Sequence, residues 1–257
     1  MLKRFFLFTI LSLSISCFSQ KELLLVYTGN MGVYITNHTS SVLIDGLHTE
    51  YGKDYLFPPV SLTHKITHQL RPDAIIFTHH HGDHFSAPLA DEYLKANKTA
   101  LLYGSQQITK EISTHPDRLI SIITNDYTPQ TSVLKDLKIT GIKINHAGKR
   151  HITVENVGYI IDFGHKKILH VGDTNWMEDI HLFDQLQLIK KDIDIAILPY
   201  WMLLEHQAPI LIKKYINPKR IIATHISPRI TKDELFDLQN KYPTVDFLTK
   251  LEQRIQL

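Results

Sequence analysis

The pattern of this chain predicts a mixed α/β fold, with sheets covered by helices, and three observations lead to it. Short apolar runs of strand length alternate with longer amphipathic stretches along the 257 residues. The first three apolar runs follow one another at hairpin spacing, whereas the later ones alternate with helical stretches. No low-complexity linker or internal repeat interrupts the sequence.

Strands are expected at 23–27, 33–36 and 41–44, each an apolar run closed by a polar or glycine-containing turn. A helix at 60–69 then leads to the strand 74–77, Ala74-Ile75-Ile76-Phe77. Ser86 followed by Pro88 is a helix start with proline in the first turn, placing a helix at 88–97. Strand 100–103, helix 105–112 and strand 119–123 follow, then strands 139–145, 157–162 and 167–171. Helices at 177–189, 208–216 and 232–241 alternate with strands 193–198 and 220–224. Asn217-Pro218 closes the helix before it, because proline restricts the residue that precedes it.

The bulk properties exclude more than they assign. The length fits one large domain or two small ones, and 43% hydrophobic with 21% charged residues is ordinary for a globular chain. A formal net charge of +2 with no block of like charge gives no electrostatic reason to expect nucleic acid or a membrane surface as partner. The unusual count is 16 histidines, which favours metal chemistry. Lys3 and Arg4 followed by the apolar stretch from Phe5 to Phe18 are too short for a spanning helix and read as a signal peptide over 1–19. The expected mature chain is a single domain over 20–257, exported to the periplasm or the extracellular space, without a transmembrane segment. Lipid anchoring through Cys17 is the other processing route. Cys17 is the one cysteine, so the mature chain has no disulfide and no thiol nucleophile.

The most informative segment is Thr78-His79-His80-His81-Gly82-Asp83-His84, directly behind an apolar strand. Imidazole nitrogen and carboxylate oxygen suit zinc and similar cations. If His79 and His81 leave the end of a strand, period-2 geometry points both rings to one side. Gly82 then lets the chain turn so that Asp83 and His84 approach a second point. Other strands also end on a histidine or aspartate: Ile142-Lys143-Ile144-Asn145-His146, continuing to His151; Ile168-Leu169-His170-Val171-Gly172-Asp173; Ile221-Ile222-Ala223-Thr224-His225; and Val42-Leu43-Ile44-Asp45-Gly46. Ligands at the ends of strands are held by a rigid sheet, as a preorganised site requires.

These residues together resemble the metallo-β-lactamase-fold hydrolase superfamily. The His-x-His-x-Asp-His signature stands at His79, His81, Asp83 and His84, the later Gly-Asp at Gly172-Asp173, the strand-end histidine at His225, and the early Ile-Asp-Gly at Ile44-Asp45-Gly46. The resemblance runs from about residue 23 to His225 and implies a four-layer αββα sandwich with the site at one edge between two sheets. It implies two Zn2+ ions, with Mn2+ or Fe as other occupants. His79, His81 and a later histidine would hold the first ion; Asp83, His84 and His225 would hold the second; Asp173 would bridge. His151, ahead of Asn156-Val157-Gly158-Tyr159, fits the spacing of that later histidine and is placed ahead of His146, which fits the strand-end position and otherwise stands behind the ligands. Asp45 is expected to orient a ligand histidine. His80 and His170 fall out of register with the ligands and are read as packed or solvated.

Two bridged divalent metals lower the pKa of a shared water, and the hydroxide so formed is the nucleophile. Asp83 would position it and take part in proton transfer. The expected activity is hydrolysis of an ester, lactone, amide or phosphodiester in a small-molecule substrate. The absence of a cysteine ligand turns the resemblance away from secreted β-lactamases, and His81 turns it away from the flavodiiron relatives. The Gly-Asp-Thr after a Lys-Ile-Leu-His strand looks most like the UlaG-like branch of zinc-dependent hydrolases. A nuclease of the RNA-processing branch and a metal-binding, non-catalytic member are the competing readings. His48, Tyr51, Trp176 and Tyr200-Trp201 are candidates for the pocket wall. Oligomeric state has no signature in the sequence.

Overall fold

A computed structural model of the chain describes residues 22–123 and 125–257. The expected leader over 1–19, with Cys17, lies outside the described residues. Among the described residues, two mixed sheets of seven strands face each other. The first sheet holds β1 (Leu24–Gly29), β2 (Gly32–Thr36), β3 (Ser41–Ile44), β4 (Ala74–Ile76), β5 (Leu101–Ser105) and β6 (Leu119–Ile122). The second holds β7 (Gln130–Leu134), β8 (Leu137–Lys143), β9 (Val157–Asp162), β10 (Lys167–His170), β11 (Ile195–Pro199), β12 (Arg220–Thr224) and β13 (Val245–Phe247). The chain then returns to the first sheet as β14 (Arg254–Gln256) beside β1, giving the orders β14-β1-β2-β3-β4-β5-β6 and β13-β12-β11-β10-β9-β8-β7.

Alternation along the strands explains the layering, since successive side chains point to opposite faces of a sheet. In β4, Ala74 and Ile76 enter the core between the sheets, while Ile75 packs outward. In β11, Ile195 and Ile197 point between the sheets, and Ala196 and Leu198 point outward. Each strand with both faces apolar needs cover on both sides, and helices supply the outer cover. On the first sheet these are α1 (Val60–Lys65), α2 (Ala87–Ala96) and α3 (Gln106–Glu111), through Leu62, Tyr93, Leu94 and Ile108. On the second they are α4 (Trp176–Leu186), α5 (Trp201–Leu204), α6 (Ala208–Tyr215) and α7 (Lys232–Lys241), through Trp176, Phe183, Met202, Ile212 and Leu238. The result is the expected αββα sandwich, with one core between the sheets and one outside each.

Strand direction brings the future site residues to one edge. β3, β4 and β5 run parallel, as do β10, β11 and β12. β8 is antiparallel to β9 and β9 to β10, so β8 runs with β10 and ends at the same edge. By the same parity β1 runs with β3, so the β1–β2 turn at Asn30 joins that edge too.

The departures from the sequence pattern have local causes. β7 reads Gln-Thr-Ser-Val-Leu and lies at a sheet edge, where both faces carry polar residues. β13 and β14 are three residues each, too short to show a period. α5 is a single turn. The expected helix at 60–69 changes at Ile66 from α to a π-helical turn that ends with Arg71 in the left-handed region. The expected helix at 177–189 stops at Leu186, where Gln187 takes a φ of 50°.

Asn156 fastens two of the strand ends to each other. It is buried, and its side-chain amide donates to the carbonyls of Ile144 at 3.0 Å and Val171 at 3.1 Å. Replacing it with alanine leaves two buried carbonyls unpaired. Asn156→Ala is therefore expected to lower stability by about 1–3 kcal/mol, read as a shift in the urea midpoint at unchanged slope.

Candidate metal centre

β4 delivers the histidine-rich segment, and the residues behind it fix its shape. The Thr78 amide donates to Asp45 Oδ1 at 2.8 Å and its hydroxyl to Oδ2 at 2.6 Å. The chain then folds over in one turn, with the amides of His84 and Phe85 both donating to the His81 carbonyl at 2.9 Å. Gly82 serves this turn by its lack of a side chain: a Cβ there would stand 2.8 Å from the Tyr51 ring, and its φ is not in the left-handed region. The expected reason for this glycine, freedom to turn, is replaced by close approach of an aromatic ring.

Two groups of ligand atoms form at the edge. His79, His81 and His146 make the first, and Asp83, His84, Asp173 and His225 the second, with the atoms of each group within 4.8 Å of one another. In the first group the three rings stand nearly perpendicular to one another, with centroids 4.7, 4.6 and 4.7 Å apart. In the second, Nε2 of His84 and His225 lie 3.3 Å from Oδ1 and Oδ2 of Asp173 respectively, and each lies 3.5 Å from Asp83 Oδ2. The groups adjoin: His146 Nε2 is 3.9 Å from Asp173 Oδ2, and the His79 and His84 rings are 4.0 Å apart. Asp173 thus faces both groups.

The structure gathers His146, and not the expected His151, with His79 and His81. His146 follows directly on the end of β8, and its Nδ1 meets the Ala147 carbonyl at 2.7 Å, which leaves Nε2 directed at the group. His151 sits in a helical turn farther along, 4.8 Å ring to ring from His81 and 4.6 Å from His146, with Nε2 accepting from Arg150 Nε at 2.8 Å. It borders the first group without entering it.

Behind the ligands stands a buried support that the sequence shows only in part. Asp45 Oδ2 lies 2.9 Å from His84 Nδ1, turning Nε2 toward the second group. Asn30 was not singled out by the pattern, yet its amide donates to Asp83 Oδ2 and to the Asp83 carbonyl, both at 3.0 Å. The Asn30 carbonyl in turn accepts from the His225 amide at 2.9 Å, joining the two sheets. Asn30, Asp45 and His225 have φ of 48°, 47° and 58°, a region that asparagine, aspartate and histidine enter more readily than other side chains. Gly172 has φ of 62°, and a Cβ there would lie 2.3 Å from Asn156 Oδ1.

His170 is fully buried, with Nε2 3.1 Å from the Met31 carbonyl, and burial lowers its pKa. His80 is partly exposed and 3.5 Å from Glu111. Trp176, a candidate wall residue, is packed in the outer core with Nε1 donating to the Met202 carbonyl. Trp201 and Tyr55 flank His225 edge-on at 4.6 and 5.4 Å, and Tyr51 meets Tyr55 at 5.5 Å. His48 is buried with Nε2 unpartnered among the described residues, and burial lowers its pKa to about 4.

The electrostatics separate the two groups. Burial, reinforced by like charge on the neighbouring histidines, holds His79 well below its ordinary pKa and His81 at about 4, so both are neutral at pH 7. At His225 burial acts downward, but the carboxylates of Asp173 and Asp83 prevail and raise it to about 9. His84 is likewise raised against its burial by Asp173 and Asp83. Burial acts to raise Asp83 and Asp173, and the facing imidazoles overcome it and lower both. Nε2 of His79, His146 and His225 and Oδ1 of Asp173 are buried without hydrogen-bond partners within the described residues. Buried imidazole and carboxylate atoms that converge within each group, with one another as their nearest polar neighbours, fit divalent cations.

A family model described as Beta-lactamase superfamily domain matches residues 42–231. A metal-dependent hydrolase of Natranaerobius thermophilus is 30% identical over 182 residues, 66% of this chain and 74% of that protein. Among solved structures, a metallo hydrolase from Ignicoccus hospitalis is similar with a TM-score of 0.59 at 17% identity, over 92% of this chain and 98% of that one. CmlA, a diiron β-hydroxylase from Streptomyces venezuelae, is similar with a TM-score of 0.63 at 12% identity, over 93% of this chain and 55% of that one. At such identities these two structures speak for the fold alone.

In metal-free protein, the ion pairs of His225 stabilise the fold fully below its unfolded pKa of about 6.5. That stabilisation is lost as pH rises through the folded value of about 9. The melting temperature of chelator-treated protein is therefore expected to fall between these two pH values. Cation binding must also displace the protons on His84 and His225, so calorimetry in buffers of differing ionisation enthalpy is expected to show proton release at pH 7.

Proposed function

The chain belongs to the beta-lactamase superfamily, and on that premise we propose that this metal-dependent hydrolase works with two divalent ions, zinc by ligand type, to cleave an ester, lactone, amide or phosphodiester bond. The observation that carries the reading is the pair of adjoining ligand groups sharing Asp173. In this reading, His79, His81 and His146 would hold the first ion, Asp83, His84 and His225 would hold the second, and Asp173, which faces both groups, would serve either. Imidazole with carboxylate favours zinc over the all-oxygen sites of harder cations. When bound, such ions acidify water and polarise a carbonyl or phosphoryl oxygen.

The chain's own residues do the remaining work. Asp83, held by the amide of Asn30 and kept ionised by the facing imidazoles, orients the attacking water and takes its proton. Asp45 fixes the ring of His84 and the tautomer that presents Nε2. Tyr55 and Trp201 cover His225 and exclude bulk water from that side.

Purified protein is expected to carry about two zinc ions per chain, by elemental analysis, and to hydrolyse a member of an ester, lactone and phosphodiester panel in a chelator-sensitive way. Asp83→Ala is expected to lower kcat by about 100-fold or more while circular dichroism stays unchanged; full turnover in that variant refutes the role of Asp83. Asp45→Ala is expected to weaken zinc affinity by about 10–100-fold, measured by competition with a chromogenic chelator.

A further inference from the structure

The helix that covers the first sheet carries two histidines that the metal centre does not use. His64 lies in the last turn of α1, and His68 lies four residues on, in the π turn that continues it. Both are exposed, while Leu62 and Ile66 of the same segment pack into the outer core. The two rings stand 4.4 Å apart, centre to centre, at 49° to each other. That is closer than the 4.6–4.7 Å between the rings of His79, His81 and His146.

The backbone accounts for this approach. In an α-helix, positions four apart overshoot a full turn, so their side chains stand offset around the axis. A π turn holds more residues per turn, and the widening at Ile66 falls between the two histidines, bringing them nearer to alignment along the axis. The turn is held from behind: the Arg71 amide donates to the Ile66 carbonyl at 2.9 Å, and buried Asn97 donates to the Thr67 carbonyl at 3.0 Å and accepts from Arg71 Nε at 2.8 Å. Lys65, the cation between the two histidines in sequence, is paired with Glu252.

Two imidazoles four residues apart on one helix face can hold a single cation between them. Two ring nitrogens at about 2.0 Å from one ion, at a right angle, put the ring centres roughly 4.5 Å apart, and the observed 4.4 Å meets that requirement. Nitrogen donors without a carboxylate select Cu2+, Ni2+ and Zn2+ over Mg2+ and Ca2+, with Cu2+ held most tightly. Among the described residues the pair belongs to no group of three or more ligands. We infer that His64 and His68 form a further metal site, apart from the candidate metal centre, that takes Cu2+ or another imidazole-preferring divalent ion and leaves its remaining coordination positions to water or a small external ligand. The site uses no residue of the centre, so it stands independently of the hydrolase reading.

Cu2+–iminodiacetate tests this on the full chain, because the chelator leaves copper positions open to exposed imidazoles while the complex is too large to reach the buried donors of the centre. Calorimetric titration is expected to give a Kd about tenfold or more below that of His64→Ala or His68→Ala, since the second imidazole binds at high effective concentration once the first is bound. Pulsed electron paramagnetic resonance is expected to show two imidazoles on the copper in the wild-type chain and one in each variant. Both substitutions fall at exposed positions, so circular dichroism is expected to stay unchanged. A Kd that neither variant raises by that factor, or a single imidazole on the copper in the wild-type chain, overturns the site. Zinc content of the centre is expected to be the same in both variants, and its loss in either overturns the separation of the two sites.

Discussion

Asp83 and Asp173 are two carboxylates drawn into the edge of a protein interior, and much of the structure answers to their charge. Ionised carboxylates lose several kcal/mol of hydration on burial, so they persist only where facing groups return it. Here His84 and His225 do so from one side, at 3.3–3.5 Å from the two carboxylates. The neutral His79, His81 and His146 leave the other side open to a cation. Both arrangements, protonated imidazoles or bound metal, neutralise the same pair of charges. A cation and the imidazole protons would therefore compete for the same pair of charges.

Holding those charges in place falls to the sheets. Parallel neighbours place their carboxyl ends together, and an even number of antiparallel steps restores the same direction, so β3, β4, β8, β10 and β12 all present their ends at one edge. Cross-links between sheets then fix the gap: the Asn30 carbonyl takes the His225 amide, the Thr78 carbonyl takes the Val157 amide, and the Tyr159 hydroxyl donates to the Phe77 carbonyl. The left-handed residues are the local expense of this arrangement, since a strand that ends at a site must turn abruptly to expose its last side chain.

A site built this way divides labour spatially. The candidate ligands sit on strand ends backed by buried hydrogen bonds, while their aromatic cover comes from loops and short helices. Tyr51, Tyr55, Trp201 and Tyr200 form a run of edge contacts around His225 that belongs to connections, not to the sheets. Connections of this kind tolerate change more readily than the strands they join.

The sequence by itself determined the layered α/β pattern and most of the residues at the edge. Alternation of apolar residues is a local property, and His79, His81, Asp83, His84, Asp173 and His225 each follow an apolar run that is visible without coordinates. Asp45 was legible for the same reason. The tertiary structure groups His146, and not His151, with His79 and His81; both lie in one short segment, so local pattern does not separate them. It also revealed Asn30, whose role exists only through contact with Asp83, 53 residues away. Trp176 and Trp201 look alike in the sequence, each just past a strand. One is buried in the outer core and the other flanks His225. Strand ends are written in local pattern; which of their neighbours face the site is set by packing between elements distant in the chain.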